Sequence, residues 1–341
     1  MRVLLLGGTN FIGPRVITEL HRQGHEVTVY HRGVHEPDLP SAVRHIHSSR
    51  AAIPILHFPP ALSDPPPDVV LHMFPVGADD ARAAVARFTG VTQRMVAVSS
   101  GDVYRAYGRL LGTEPGPPEP MPLSEDAPLR EIHFPYRKAA AGPMDWTYHY
   151  DKILAERAFL ESRLPATVLR LPAVYGPDDP HHRLRPYVRR MQERRPVILI
   201  DAPRAGWRWT HGYVDDVGRA IASAVVDPRA RGRVYNVGEA SIPTMAERIH
   251  QLAGLMGWRG RLVPVSRDRL PGHLQTPFEA GQDLVMDSRR IRAELGYTET
   301  VSDEEALRRT IEWEERSDVV AGDPGAQEYA AEDQVAQRGD T

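Results

Sequence analysis

The stretch of sequence that decides the fold is MRVLLLGGTNFIG, at residues 1–13. Val3–Leu6 form a short apolar run of the length that a buried strand needs, and two glycines end the run. Apolar residues then recur at helical spacing as far as Leu20, and Gly24 ends that pattern. The order of strand, glycine-rich turn and helix predicts the first βαβ unit of a parallel sheet.

The turn GGTNFIG has the form of a dinucleotide-binding fingerprint, which needs a strand before it and a helix after it. Gly7 permits the tight turn, and Gly13 lets the helix pack closely on the sheet. Gly8 and Asn10 lie where the backbone must approach a diphosphate, and asparagine tolerates a left-handed backbone better than other non-glycine residues. The predicted cofactor contacts of this turn are Gly7, Gly8, Thr9, Asn10, Phe11, Ile12 and Gly13.

Outward from the turn, short apolar runs alternate with helical patterns through the first 100 residues. This alternation is typical of an α/β protein with a doubly wound parallel sheet, the Rossmann fold. We expect a cofactor-binding Rossmann domain over residues 1–175, with a proline-rich insertion near 112–128. A smaller substrate-binding lobe is expected over 176–315, with elements that return to the first domain. The acidic segment 316–341 is predicted to be a flexible tail.

Composition excludes several classes of function. The formal net charge of the 341 residues is −3, which gives no bulk attraction to nucleic acid or to an anionic membrane. No apolar run is long enough to span a bilayer, so we expect a cytoplasmic protein with neither a membrane nor a nucleic-acid partner. The absence of cysteine excludes zinc-thiolate sites and cysteine nucleophiles. The 15 histidines lack a matching carboxylate framework in the sequence, so we predict no metal site.

The end of the second predicted strand bears on the choice of cofactor. An NAD site usually has an acidic residue there for the ribose 2′-hydroxyl, whereas an arginine suits a 2′-phosphate. The chain has His31 and Arg32 at this point, which favours NADP(H) over NAD(H), although a solvated loop arginine is the alternative. Arg50, after the third strand, is predicted to flank the adenine.

Tyr148 and Lys152 are four residues apart in a helix predicted over residues 146–163. At that spacing two side chains share one helix face. A tyrosine can exchange a proton with a carbinol oxygen, and a lysine cation beside it lowers the tyrosine pKa. Tyr150 is a rival at spacing two, but it would face away from Lys152 on a regular helix. We therefore predict Tyr148 and Lys152 as the catalytic pair.

The strand before this helix ends in a polar turn, Ser99-Ser100-Gly101-Asp102. Ligands of open α/β sheets bind at the carboxyl ends of the strands. Ser100 is predicted to hydrogen-bond the reacting oxygen, Asp102 to serve as a further acid or base, and Ser99 to contact the cofactor. Turn capping is the alternative for Ser100 and Asp102.

With these motifs the chain resembles the NAD-dependent epimerase/dehydratase family, the extended short-chain dehydrogenases/reductases. The stretches that carry the resemblance are GGTNFIG at 7–13, SSGDVY at 99–104, YHYDK at 148–152, LRLPAVYGP at 169–177, THGYVDDVGRAI at 210–221, YNVGE at 235–239 and DSRRIRAELGY at 287–297.

The resemblance implies a Ser/Tyr/Lys triad at Ser100, Tyr148 and Lys152, with Lys152 also binding the nicotinamide ribose. It implies a substrate-phosphate contact at Arg208, while Arg183 belongs to an arginine cluster that could clamp a diphosphate. It also implies a possible homodimer formed through helices such as the one at 146–163. The loop that would line the nicotinamide contains Leu171, Pro172 and Val174.

The resemblance leaves three functions open. The first is hydride transfer at a carbinol or carbonyl carbon of a nucleotide sugar or similar polar substrate, with epimerisation, dehydration or reduction as the net outcome. The second is an NADP-dependent ketoreductase of a small or natural-product carbonyl. The third is a non-catalytic cofactor-binding or RNA-associated regulator, because the GGTNFIG turn is closer to an atypical GGTxFIG subgroup, in which Tyr150-Asp151-Lys152 is an alternative functional feature.

Overall fold

The computed structural model describes residues 1–48, 53–276, 278, 281–318, 320 and 322–339. The strands are β1 (Arg2–Leu6), β2 (Glu26–His31), β3 (Arg44–His47), β4 (Val69–His72), β5 (Arg94–Ser100), β6 (Ala166–Leu171), β7 (Ala173–Tyr175), β8 (Val197–Asp201), β9 (His211–Tyr213), β10 (Val234–Asn236) and β11 (Arg261–Val265). The helices are α1 (Ile12–Arg22), α2 (Ala78–Phe88), α3 (Arg105–Leu110), α4 (Lys152–Leu160), α5 (Arg185–Gln192), α6 (Ala202–Gly206), α7 (Val214–Val226), α8 (Met245–Leu255), α9 (Arg289–Leu295), α10 (Asp303–Arg316) and α11 (Ala326–Gly339).

Within the described residues, a seven-stranded parallel sheet has the order β10-β6-β5-β4-β1-β2-β3. The chain moves outward from β1 to β3, then crosses to β4 on the other side of β1. This reversal leaves a crevice beside the carboxyl end of β1, where open α/β sheets bind ligands. The prediction of a doubly wound Rossmann fold is confirmed.

Helices cover both faces of the sheet, so the central strands are buried on both sides. Val16 and Ile17 of α1 pack with Val217 of α7 in the core of one face. Phe88 of α2 and Phe159 of α4 lie in the core of the other face. The sheet therefore holds the ends of β1, β4 and β5 in fixed positions at one edge of the molecule.

The second half of the chain adds smaller elements around this sheet. β8 pairs with β11, and β7 pairs with β9, both in parallel. β10 returns to the main sheet beside β6, while α7 packs against α1. None of the described helices combines the length and the apolar character that crossing a bilayer requires.

The helix predicted over 146–163 is shorter than expected. A 3₁₀ turn spans Trp146–Tyr148, and the α-helix begins only at Lys152. Asp151 caps this helix, because its side chain accepts a hydrogen bond from the Leu154 amide at 3.2 Å. The expectation that Tyr148 and Lys152 share a helix face is therefore wrong.

The prediction of a frayed acidic tail is also wrong for residues 322–339. Asp323 accepts two hydrogen bonds from the buried Arg185 of α5, at 2.7 and 2.6 Å. Glu332 of α11 is buried and pairs with Arg190 at 2.5 Å. The acidic residues that indicated disorder are thus partners of buried arginines, and the tail folds because those charges need counterions.

Candidate active site

The glycine turn forms one wall of a cleft of about 550 Å³. The other walls come from the ends of β2 and β4, at His31 and at 72–74, and from Trp146. Gly7 and Gly8 have φ values of +77° and +94°, which side chains rarely allow. The turn therefore presents bare backbone to the cleft.

Gly13 is fixed by close packing. A Cβ atom at this position would lie 2.0 Å from the carbonyl oxygen of Gly8. Its amide donates to the Asn10 carbonyl at 3.0 Å, which folds the turn back on itself at the start of α1. The predicted role of Gly13 in close packing agrees with this geometry.

The non-glycine residue of the turn that has a positive φ is Phe11, at +49°, and not Asn10. The expected reason for Asn10 was therefore wrong. Phe11 is the residue at which the chain turns into α1, directly before Ile12. Thr9, Asn10, Phe11 and Ile12 all line the cleft, as the fingerprint predicts.

Arg32 follows β2 and lines the cleft beside His31. His31 is buried, whereas Arg32 is exposed. The residues from 31 to 35 are His-Arg-Gly-Val-His and include no carboxylate. Arg50, which was predicted to flank the adenine, lies outside the described residues.

Tyr150, not Tyr148, reaches the polar end of β5. The Tyr150 hydroxyl donates to Asp102 Oδ2 at 2.8 Å, and its side chain is buried. Tyr148 packs instead with its ring against the Arg137 guanidinium, 4.6 Å from the ring centroid. The Tyr148 hydroxyl makes no hydrogen bond within the described part of the chain. Tyr150 lies between the 3₁₀ turn and the start of α4, so the spacing of a regular helix does not set the direction of its side chain.

Asp102 is the centre of a buried hydrogen-bonded group. Tyr136 also donates to its Oδ2, at 3.2 Å, and Tyr136 and Tyr107 share a hydrogen bond of 2.9 Å. Oδ1 of Asp102 is buried and has no partner among the described residues. Burial raises the pKa of Asp102, while the Arg130 guanidinium acts in the opposite direction. This carboxyl group is therefore more easily protonated than one in water.

The same surroundings keep Tyr150 protonated. Burial and the Asp102 carboxylate raise its pKa well above the ordinary value, and only the neighbouring Ser100 hydroxyl is a notable influence in the other direction. Ser100 also accepts a hydrogen bond from the Asp102 amide at 3.2 Å, so it caps the turn as the alternative interpretation expected. Capping of the turn leaves the Ser100 hydroxyl able to donate a hydrogen bond of its own, so both interpretations of Ser100 are compatible.

Lys152 is buried behind Tyr150. Its Nζ donates to the carbonyl oxygens of Pro75 and Val98 at 2.7 and 3.1 Å. It lies 5.6 Å from the ring centroid of Tyr150 and 5.1 Å from that of Phe74. Burial lowers the pKa of Lys152 to about 8. Two backbone carbonyls thus fix the ammonium group between the tyrosine and the cofactor cleft.

Residues 3–238 match the model of the NAD dependent epimerase/dehydratase family. The chain belongs to this family. It is an enzyme of the extended short-chain dehydrogenase/reductase type, as the motifs predicted. It is 28% identical over 265 residues to 2′-dehydrokanamycin reductase of Streptomyces kanamyceticus, an alignment that covers 74% of this chain and 67% of the relative.

A second relative is UDP-N-acetyl-alpha-D-glucosaminuronate decarboxylase of Bacillus cytotoxicus, 24% identical over 339 residues, with 92% of this chain and 97% of the relative covered. Among solved structures, MoeE5 in complex with UDP-glucuronic acid and NAD is 21% identical, with a TM-score of 0.64 and 93% and 99% of the two chains covered. That likeness establishes the fold.

Ser99 and the loop at 171–174 of this epimerase/dehydratase-family enzyme were predicted to contact the cofactor, and they have different surroundings in the structure. The Ser99 hydroxyl donates to the buried Glu156 at 2.5 Å, within the core rather than the cleft. Leu171 pairs in register with Ser100, and Val174 of β7 is buried with it. Pro172 connects β6 to β7. The loop that was predicted to line the nicotinamide therefore borders Ser100.

The two predicted substrate arginines differ in their surroundings. Arg183 pairs with the buried Asp179 at 2.5 Å. Arg208 is exposed at the start of the THGYVDD segment, where its amide donates to Asp283 at 2.9 Å. Its guanidinium is therefore the more accessible of the two.

Sequence reasoning missed three polar residues of the site. Tyr136 and Arg130 come from the irregular segment between α3 and α4, which carries no periodic pattern. His72 ends β4 and lines the cofactor cleft. Neither of its ring nitrogens has a hydrogen-bond partner among the described residues, although Nε2 lies 3.9 Å from Asp80 Oδ2. Burial lowers the pKa of His72 to about 3, so it is neutral at physiological pH. A polar residue that ends a buried apolar strand was the available signal for His72.

Proposed function

We propose that this enzyme transfers a hydride between a nicotinamide cofactor and a carbinol or carbonyl carbon of a sugar-like polar substrate, with reduction as the favoured direction. The observation that carries the proposal is the buried Tyr150 hydroxyl, which adjoins Ser100, Asp102 and Lys152 at the ends of β4 and β5.

The glycine turn and α1 fit a dinucleotide. The bare backbone at Gly7 and Gly8 allows a diphosphate to approach, and the first amides of α1 offer hydrogen bonds and a partial positive charge to it. Arg32 can pair with a ribose 2′-phosphate, so NADP(H) is the proposed cofactor in preference to NAD(H). His31 and the 7–13 turn complete the proposed cofactor contacts. The cofactor supplies or accepts the hydride.

Tyr150 is the proposed proton donor. Burial and Asp102 raise the pKa of Tyr150, so its hydroxyl is protonated. Hydride addition to the carbonyl carbon turns the carbonyl oxygen into a strongly basic alkoxide, and this oxygen would take the Tyr150 proton. The Ser100 hydroxyl would polarise the same oxygen. Oxidation of an alcohol needs the tyrosinate form to accept the alcohol proton, and a raised pKa leaves little of that form, so we propose that the site favours reduction.

After transfer, the Asp102 carboxylate would take up a proton from solvent and pass it to the Tyr150 oxygen, which restores the hydroxyl. Its raised pKa makes the carboxylic acid form accessible, and it already shares a hydrogen bond with the Tyr150 hydroxyl. Tyr136 and Tyr107 extend this hydrogen-bonded chain away from the reacting oxygen. Lys152 would stabilise the transient tyrosinate and hold the ribose of the nicotinamide.

The substrate class is supported by the relatives. One acts on an oxidised aminoglycoside and another on a nucleotide-linked sugar acid, according to their names. A nucleotide sugar would require a cation for its diphosphate, and we propose the exposed Arg208 for it. Arg183 would first have to exchange its bond to Asp179. The homodimer and the cytoplasmic location stay predictions.

The first experiment measures cofactor binding by calorimetry with NADPH and with NADH. The second follows deuterium from C4-labelled cofactor into product, with 2′-dehydrokanamycin, UDP-glucose and UDP-glucuronic acid as probes. We expect tighter binding of NADPH and label on one substrate carbon. Failure of both cofactors to bind would refute the proposal, and tightly held NAD with no net transfer of label would favour an internally recycling epimerase.

A further inference from the structure

Three histidines and one glutamate converge where β2 and β3 end. His31 pairs in register with His47, so the two side chains lie on the same face of the sheet. His45 is two residues before His47 and shares that face. The loop after β2 brings Glu36 back to the same place. The sequence analysis found no carboxylate for these histidines because Glu36 reaches them only through the folded loop.

Three of the distances between the four groups are close to those of a tetrahedral metal site. His31 Nε2 lies 3.0 Å from His45 Nδ1, and Glu36 Oε1 lies 2.8 Å from His47 Nε2. Glu36 Oε2 is 3.4 Å from His45 Nδ1, and all four ligating atoms are within 4.8 Å of one another. A zinc ion with bonds of about 2.0–2.1 Å places neighbouring ligand atoms about 3.3 Å apart. The three measured separations are within about half an ångström of that value.

The donor atoms of the cluster indicate which metal ion fits it. His31 is buried, whereas the side chains of Glu36 and His47 are more than half exposed. Neutral imidazole is the form that binds a metal ion. Three imidazoles and a carboxylate form a donor set that suits zinc better than magnesium or calcium, which prefer oxygen ligands.

We propose that His31, Glu36, His45 and His47 bind one zinc ion at the adenosine end of the cofactor cleft. In the structure His31 Nδ1 accepts a hydrogen bond from the Gly33 amide at 3.2 Å, which places the ring proton on Nε2. Zinc at Nε2 moves that proton to Nδ1, and the Arg32–Gly33 peptide then turns away. A glycine with φ +72° allows this change.

The site would fix the loop between β2 and β3. The first part of that loop, including Val34 and His35, lines the cofactor cleft. A metal bonded to both strands and to Glu36 would hold this wall in one position. The proposal goes beyond hydride transfer and does not depend on it, because the four ligands lie outside the Tyr150 site.

The test is calorimetric titration of the tag-free protein, without cofactor, with zinc chloride and separately with magnesium chloride. We expect one zinc per chain and no magnesium. The His47→Gln variant should bind zinc at least about 100-fold more weakly, because it lacks one of four ligands. The matched control is His35→Gln, since His35 is an exposed histidine of the same loop outside the cluster.

His47 is more than half exposed, so its replacement should leave the fold intact, and circular dichroism melting checks this. X-ray absorption at the zinc edge should show only nitrogen and oxygen neighbours, with imidazole scattering. Absence of zinc binding by the wild-type protein would overturn the proposal. Equal zinc affinity of wild type and His47→Gln would also overturn it, because the ion would then bind elsewhere.

Discussion

The two tyrosines of the YHYDK stretch give the sharpest test of the site. Tyr150→Phe removes the hydroxyl that donates to Asp102 at 2.8 Å, whereas Tyr148→Phe removes one that makes no hydrogen bond within the described residues. Loss of a positioned proton donor slows the chemical step by about 10²–10⁴-fold, equivalent to about 3–5 kcal/mol. We therefore expect this loss of kcat in Tyr150→Phe and a change of less than about twofold in Tyr148→Phe.

The structural cost of the two changes also differs. Tyr150→Phe leaves Asp102 Oδ2 with the Tyr136 hydroxyl alone, and Oδ1 already has no partner among the described residues. Loss of one hydrogen bond to a charged group costs about 1.5–3 kcal/mol, although protonation of the carboxyl lowers that cost. Tyr148→Phe keeps its ring against Arg137 and should melt like the wild type.

The assay is steady-state oxidation of the nicotinamide cofactor, with whichever probe substrate accepts label, at a temperature below the melting transition of both variants. Cofactor affinity, measured by calorimetry, serves as the control for an intact cleft. The reasoning is refuted if Tyr148→Phe is inactive while Tyr150→Phe retains wild-type kcat. That pattern would mean that the segment before α4 rearranges when cofactor binds.

Three further predictions follow from the cleft. Arg32→Ala should weaken NADPH binding by about tenfold or more, since a charge-assisted hydrogen bond contributes about 1.5–3 kcal/mol, and leave NADH binding nearly unchanged in calorimetry. Burial lowers the pKa of Lys152 to about 8, so its positive charge is lost as the pH rises through that value. We therefore expect kcat/KM to fall above about pH 8. A flat pH profile up to about pH 10 would contradict the proposed role of Lys152. Gly13→Ala should abolish cofactor binding and destabilise the fold by about 1–3 kcal/mol, because the new Cβ would lie 2.0 Å from the Gly8 carbonyl oxygen. The control is Gly24→Ala, whose Cβ would have no atom within 4 Å. This variant should keep its cofactor affinity and lose only about 1 kcal/mol of stability in thermal melting.

The fold could be predicted from sequence because its signals are local. Each apolar run of the first 100 residues needed only its own period and length to be assigned as a strand, and β1 differs by one residue from the predicted Val3–Leu6. The glycine turn carried its own context of strand and helix. The tail could not be predicted, because the burial of Glu332 depends on Arg190, more than 100 residues earlier.

The identity of the inward tyrosine depended on where one helix begins. The i, i+4 rule applies only inside a helix, and the chain is not helical between Tyr148 and Lys152. An aspartate directly before an apolar helical pattern is a helix-start signal, so Asp151 carried the information that would have moved the boundary to Lys152. With that boundary, the spacing of four loses its meaning and Tyr150 becomes an equal choice.

Asp151 also explains how an irregular segment can build a fixed site. Its Oδ1 caps α4, and its Oδ2 accepts the Phe134 amide at 2.6 Å. One fully buried carboxylate therefore ties the segment that carries Tyr136 to the turn that carries Tyr150. Because both tyrosines then reach Asp102 from different segments, the hydrogen-bonded group at the end of β5 depends on this tie. The positions of Tyr136 and Tyr150 are therefore set by hydrogen bonds to the buried carboxylates of Asp151 and Asp102. The sheet contributes the end of β5, where Asp102 lies.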